Sequence, residues 1–195
     1  MYNRKDSYYR KAKKEGYRSR AAYKLIEIND KYKLLKKGMI VADIGCAPGG
    51  WSQVALDKVG SKGKVIGVDI LTIKPLGNEN YHFINGDFTS LEIMETIKET
   101  AGVPFDLVLS DISPNTTGIK VRDQALSLEI CQLVFRFSLS VLKEGGDLLM
   151  KIFQSDDMKT LVSELRNSFE KVKIVKPKSS RKESGEVYLL AQKKK

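Results

Sequence analysis

At 195 residues the chain has the size of one domain and can bury a two-sided α/β core; 34 Lys and Arg against 24 Asp and Glu give it a net charge of +10. No apolar stretch approaches the roughly 20 residues that span a bilayer, and the opening Met-Tyr-Asn-Arg-Lys-Asp has no apolar run behind it, so neither a membrane anchor nor a secretory signal is expected. Two cysteines, Cys46 and Cys131, fit small buried side chains in a reducing, cytoplasmic setting, and a single histidine, His82, leaves no zinc-ligand spacing and hence no expected metal.

In chain order, residues 1–24 come first, with nine Lys or Arg against two acids. Residues 171–195 repeat that balance, and the stretch between them is net acidic at −4. A neutral-to-acidic body with two basic ends predicts a surface for a polyanion. Tyr2, Tyr8, Tyr9, Tyr17 and Tyr23 alternate with Arg4, Arg10, Arg18 and Arg20. Aromatic faces stack on unpaired bases while guanidinium and ammonium groups hold phosphates, so RNA is the expected partner of the segment as a whole. Any one tyrosine taken alone reads equally as a core contact of an amphipathic helix.

Ser19–Ile28 has helical spacing, with Ala22, Leu25, Ile26 and Asn29 on one face. Met39–Ile44 reads as a strand that carries Asp43 near its end and runs into a turn containing Gly45, Pro48, Gly49 and Gly50; a helix follows from Trp51 to Val59. Strand, tight turn and helix in that order form the nucleotide corner of a Rossmann-like sheet. The spacing is not Gly-x-Gly-x-x-Gly, and a carboxylate ahead of the turn suits a cationic cofactor without phosphate, such as S-adenosylmethionine. Trp51 fits either a wall of that pocket or the core of its helix.

The remaining strands are read at Lys64–Ile70, Tyr81–Ile84, Phe105–Ser110, Asp147–Phe153, Lys173–Lys176 and Glu186–Gln192. Helices are read at Ser90–Ala101, at Asp123–Leu142 and at Asp156–Phe169, the last capped by Ser155. The long helix has a predicted buried stripe of Leu126, Ile130, Leu133, Val134, Phe137 and Val141 and a stop at Gly145-Gly146, and Lys193–Lys195 read as a frayed end. Strands separated by helices predict a mostly parallel seven-stranded sheet with helices on both faces; two final strands with no helix between them predict an antiparallel edge hairpin. Seven strands with that hairpin resemble the α/β architecture of class I methyltransferases. It is expected as one domain over 1–195, with a basic aromatic RNA-binding segment at 1–24 and a basic hairpin and tail at 171–195.

Carboxylates recur at the strand ends, where open α/β sheets bind ligands. Asp69 is placed to accept ribose hydroxyls of an adenosine and Asp87 to take its adenine amino group, while Asp111 sits at the switch point of the sheet. Each of them alone would pass for a turn former. In register with Asp43 they form a set.

Arg18-Ser19-Arg20-Ala21-Ala22-Tyr23-Lys24-Leu25, Ala47-Pro48-Gly49-Gly50-Trp51-Ser52-Gln53, Ser110-Asp111-Ile112-Ser113-Pro114-Asn115, Lys151-Ile152-Phe153-Gln154 and Pro177-Lys178-Ser179-Ser180-Arg181 with Glu186-Val187-Tyr188 resemble the FtsJ/RrmJ family of RNA 2′-O-ribose methyltransferases, in order and over nearly the whole chain. The resemblance implies S-adenosylmethionine as methyl donor and a Lys-Asp-Lys-Glu tetrad at Lys24, Asp111, Lys151 and Glu186. It implies cofactor contacts at Gly49, Trp51, Asp69, Asp87 and Asp111, alongside the Asp43 and Gly45 read from the turn itself. Cys46 stands where many relatives have alanine. The implied substrate is a uridine ribose in large-subunit ribosomal RNA, with a tRNA anticodon-loop ribose as the alternative and a non-catalytic RNA-binding assembly factor as the reading from another class. A monomer is the expected state.

A ribose hydroxyl attacks only as its proton leaves, whereas the sulfonium methyl is already activated and departs from a neutral thioether. The protein has to hold the oxygen in line with the methyl and take a proton. A lysine does the second task when neutral. Burial and a second ammonium push it that way, and the two carboxylates oppose them. Lys151 is the expected base or polariser, because it lies between Met150 and Ile152 at the exit of an apolar strand, and Lys24 is expected to orient the ribose.

Overall fold

The computed structural model describes residues 7–181 and 184–195; Tyr2 and Arg4 of the basic opening lie outside the described residues. Among these, the strands are β1 (Ile40–Ile44), β2 (Lys64–Asp69), β3 (Tyr81–Asn85), β4 (Phe105–Ser110), β5 (Leu142–Phe153), β6 (Phe169–Val175) and β7 (Glu186–Lys194). The helices are α1 (Ser7–Glu15), α2 (Ala22–Tyr32), α3 (Gly50–Val59), α4 (Leu91–Ala101), α5 (Lys120–Val141) and α6 (Met158–Ser168). The strands form one sheet in the order β3-β2-β1-β4-β5-β7-β6. β1 to β5 pair in parallel, and β7 runs antiparallel between β5 and β6.

Side-chain alternation divides the core in two. Val41, Val65, Leu107, Leu109, Leu149, Tyr188 and Leu190 face α2 and α3, whereas Ala42, Ile66, Val108, Leu148, Met150 and Leu189 face α4, α5 and α6. No helix among the described residues is long and apolar enough to cross a membrane.

Four features depart from the sequence reading. Ser7–Glu15 forms a helix of its own ahead of α2, which begins at Ala22 rather than Ser19. The buried stripe of α5 is rotated: Ser127, Cys131 and Ser138 lie inward with Val134, Phe137 and Val141, while Leu133 is exposed. Small side chains let the helix backbone approach the sheet, and their polar atoms are used there. The Ser127 hydroxyl accepts the Phe153 N–H at 3.0 Å, and the Cys131 thiol donates to the Lys151 carbonyl at 3.0 Å. Gly145-Gly146 do not end that helix; β5 already begins at Leu142, and Gly145, at φ +75°, belongs to an irregular stretch of β5 against β4. Ser155 caps nothing, since α6 starts at Met158 after Asp157.

The C-terminal lysines are pinned, not frayed. The Lys194 ammonium donates to the Leu139 and Leu142 carbonyls and the Lys195 N–H to the Ser168 carbonyl. The basic ends also meet in space. The Glu27 carboxylate accepts the N–H groups of Lys178 and Ser179 and the Ser179 hydroxyl, and the Arg20 guanidinium donates to the Ser179 carbonyl at 2.5 Å. The loop of residues 176–181 is thereby clasped onto α2.

Candidate active site

The glycine turn joins the end of β1 to α3 through residues that need its geometry. Gly45 and Gly49 have φ of +74° and +108°, and a side chain at Gly45 would overlap Ile112. The Gly45 N–H donates to the Val68 carbonyl at 2.8 Å, and the Ala47-Pro48 bond is cis. Cys46 is buried beside the Tyr81 hydroxyl, and Gly67 leaves room for both, since a Cβ there would meet that hydroxyl and the thiol. Burial pushes the Cys46 thiol well above its ordinary range, with the Asp43 carboxylate adding to the shift, so this cysteine is not a nucleophile.

Asp43 is 1 % exposed; its Oδ2 accepts the Ser52 hydroxyl at 2.6 Å, and its Oδ1 has no hydrogen-bond partner among the described residues. Burial raises its pKa to about 7 against the Ser52 hydrogen bond, helped by the charges of Asp111 and Asp69. A buried carboxylate with an orphaned oxygen beside side-chain-free backbone fits the ammonium end of S-adenosylmethionine.

Asp69 and Asp87 are organised differently. Asp69 accepts the Ala47 N–H through Oδ2 and the Leu71 N–H through Oδ1, each at 2.8 Å, so it ties the glycine turn to the segment after β2. Asp87 is exposed and holds its own turn by accepting the Thr89 N–H and hydroxyl through Oδ1. Trp51 is 3 % exposed; its indole N–H donates to the Ala21 carbonyl at 2.8 Å and its ring lies 5.7 Å from that of Tyr188. The indole is therefore core and not a pocket wall, because its polar atom is consumed by α2. Its backbone lies in the first turn of α3, directly after the glycine turn.

The structure brings the four tetrad residues into two ion pairs on the α2 side of the sheet. The Lys24 ammonium lies 2.9 Å from Glu186 Oε2. The Lys151 ammonium donates to the Asp111 carbonyl at 2.7 Å and lies 3.3 Å from Asp111 Oδ1. Lys24 and Lys151 are 8 % and 6 % exposed, unusual for lysine. Register explains the meeting: β5 and β7 pair Lys151 with Tyr188 and Phe153 with Glu186, while Lys24 projects from α2 above them. Burial works to raise the Glu186 carboxyl, but the charge and hydrogen bond of Lys24, with Lys151 beyond, outweigh it and hold its pKa below the ordinary value.

Tyr188 belongs to this network, and sequence reasoning did not assign it a role. Fully buried, it donates its hydroxyl to Asp111 Oδ1 at 2.7 Å, and its ring centroid lies 5.7 Å from the Lys24 ammonium. Burial and the Asp111 carboxylate push its pKa far above the usual phenol value, so it stays a donor. Alternation along β7 carries the signal: two residues beyond Glu186, Tyr188 shares its face.

Among the tyrosines of residues 7–24, Tyr8 and Tyr17 pack against Tyr23 at 5.5 and 5.7 Å, and Tyr23 donates to Glu15. They are mainly core contacts, while Tyr9 is 44 % exposed. Arg18 and Arg20 spend guanidinium donors on backbone carbonyls, whereas Arg10, Lys11, Lys13, Lys14 and Lys178 are exposed cations around the clasped ends.

A sheet of this order with an acid-glycine turn at the end of β1 defines a class I methyltransferase, dependent on S-adenosylmethionine. The FtsJ-like methyltransferase family matches residues 17–194, and the chain belongs to that family. It is 47 % identical over 97 % of its length to the ribosomal RNA large subunit methyltransferase E of Methanobrevibacter smithii, covering 90 % of that protein. It is 44 % identical over its full length to the protein of the same name from Bdellovibrio bacteriovorus, of which it covers 99 %. Among solved structures, a Plasmodium falciparum protein described as a ribosomal RNA methyltransferase superposes with a TM-score of 0.82 at 34 % identity, over 91 % of this chain and 98 % of its own. A Streptococcus mutans methyltransferase solved with S-adenosylhomocysteine shares the fold, with a TM-score of 0.56 at 17 % identity over 86 % of this chain and 96 % of its own.

Proposed function

We propose that this enzyme methylates the 2′-hydroxyl of a uridine ribose in large-subunit ribosomal RNA, acting as a monomer in the cytoplasm. The observation that carries the reading is the meeting of Lys24, Asp111, Lys151 and Glu186, from four distant parts of the chain, as two ion pairs in which buried lysines meet half-buried acids. A non-catalytic assembly factor has no use for two buried lysines, each held against an acid. The relatives named above support ribosomal RNA over tRNA.

S-adenosylmethionine supplies an activated methyl on a sulfonium, and Asp43, the backbone at Gly45, Gly49 and Trp51, Asp69, Asp87 and Asp111 are the groups that would hold it. As an ammonium fixed by the carbonyl and carboxylate of Asp111, Lys151 polarises the ribose hydroxyl; to take up that hydroxyl's proton it first gives its own to solvent and acts as the neutral amine. Tyr188 occupies an oxygen of Asp111 and keeps that carboxylate oriented. Lys24, held by Glu186, orients the ribose. The clasped basic ends, with Lys11, Lys13, Lys14 and Lys178, bind the RNA backbone.

The test is incubation with tritiated methyl donor and either large ribosomal subunits lacking the modification or bulk tRNA, followed by nuclease mapping. Label in one uridine ribose of the large-subunit RNA is expected; label confined to tRNA, or none with either substrate, sinks the proposal.

A further inference from the structure

Two segments flank Asp69 as walls, the glycine turn after β1 and the connection of residues 70–77 after β2, and they are tied together twice. At the root, Asp69 bonds the N–H groups of Ala47 on one wall and Leu71 on the other. At the outer margin, the Arg18 guanidinium spans the same two walls: Nη1 donates to the Pro48 carbonyl at 3.2 Å and to the Lys74 carbonyl at 2.5 Å, and Nη2 donates to the Pro75 carbonyl at 2.7 Å.

The arginine itself is anchored. Its N–H donates to Gln53 Oε1 at 2.8 Å, and Gln53 Nε2 donates to the Gly16 carbonyl at 3.0 Å, so α3 holds the strand of chain that carries it. Gly49 opens the path, since a Cβ there would come within 3.2 Å of Arg18 Cδ and Nη1. A planar fork spreads five donors over three nitrogens and so spans carbonyls on two loops, whereas the three donors of an ammonium radiate from one nitrogen.

We propose that Arg18 is a positioning residue for the methyl donor, a brace that sets the width of the adenosyl crevice. The proposal rests on reading Asp69 as the ribose-binding acid. When the Asp69 carboxylate turns to ribose hydroxyls, it shares or gives up its bonds to the two walls, and Arg18 keeps their spacing. Three of the five guanidinium donors are committed to carbonyls, so the side chain is already fixed across the two walls, and a phosphate has at most the other two.

The experiment is calorimetric titration of the full chain with S-adenosylhomocysteine, beside steady-state kinetics on large subunits, for Arg18→Ala, Arg18→Lys and Asp69→Asn. Arg18→Ala is expected to weaken S-adenosylhomocysteine by about tenfold or more, and Arg18→Lys to recover only part of that. In turnover the loss falls on the KM for S-adenosylmethionine and not on kcat. Amide exchange across residues 70–77 of the ligand-free protein is expected to quicken in Arg18→Ala, which reports the brace independently of turnover, and thermal melts show whether each variant folds.

Unchanged S-adenosylhomocysteine affinity in a folded Arg18→Ala variant overturns the proposal. So does a rise confined to the KM for the ribosomal particle together with a salt slope shallower by about one, the mark of a lost phosphate contact. Asp69→Asn separates the two layers. Full affinity in that variant removes the ribose reading of Asp69, whereas weakened binding in Asp69→Asn with none in Arg18→Ala removes the brace alone.

Discussion

The β1–β3 side of the sheet and the β4–β5–β7 side handle charge in opposite ways. On the first, Asp69 and Asp87 accept backbone N–H groups, and Asp43 keeps an oxygen without a partner among the described residues. On the second, the two tetrad acids each meet a lysine from elsewhere in the chain, Glu186 with Lys24 and Asp111 with Lys151. One side is built to receive a cation. The other neutralises its own charges and keeps two amines in place for a hydroxyl. Binding and chemistry are thus separated along the sheet, with Asp111 at the boundary.

The largest expected effect cuts the catalytic side alone. Lys151→Ala should lower kcat by about 10³-fold, as loss of a general base does, while calorimetry with S-adenosylhomocysteine finds nearly wild-type affinity. Residual turnover within tenfold of wild type would erase the division of labour.

Asp43→Asn strikes the other side, and its sign follows from the raised pKa. A carboxyl that titrates near 7 when folded and at 3.8 when not binds more protons in the folded state between those values, so the wild type loses stability as pH climbs from about 4 to about 7. Asp43→Asn escapes that loss, and denaturant titrations of the ligand-free proteins should show it gaining on the wild type over this interval, by up to ~4 kcal/mol at pH 8. The same variant should bind S-adenosylmethionine poorly, whereas wild-type affinity rises from pH 6 to pH 8 as Asp43 ionises. A flat affinity profile would separate Asp43 from the ammonium.

Glu186→Gln keeps a hydrogen-bond acceptor for Lys24 and removes its charge; a drop in kcat of about tenfold is expected, with cofactor affinity unmoved. The smallest effect belongs to Trp51→Phe. Losing the bond to the Ala21 carbonyl should cost about 1–2 kcal/mol in denaturant unfolding. S-adenosylhomocysteine affinity should stay within about twofold of wild type, since the indole is core.

The two sides also differ in how far the sequence revealed them. Asp43, Gly45, Gly49 and Gly50 are contiguous, and a carboxylate, a turn and a helix in one short stretch can be read without homologues. Lys24 and Glu186 are more than 160 positions apart and meet only through strand register, so their pairing was visible through resemblance and not through spacing. Strand content was legible because a helix separates each neighbouring pair from β1 to β5 except β2 and β3. The stripe of α5 was misjudged because Ser127, Cys131 and Ser138 pack by smallness and hydrogen bonding, which hydropathy does not weigh. Arg18 looked like a nucleic-acid contact because charge counts cannot tell a cation facing solvent from one folded back onto carbonyls.

The placement of β7 has a consequence for biogenesis. The last strand in the chain is an inner strand of the sheet, wedged between β5 and β6, and it carries both Glu186 and Tyr188. A nascent chain halted before residue 186 would show the unpaired β5 edge to its neighbours, an invitation to aggregate, and could not assemble the tetrad. Lys24 and Asp111 therefore have their β7 partners, Glu186 and Tyr188, only once that strand slots home.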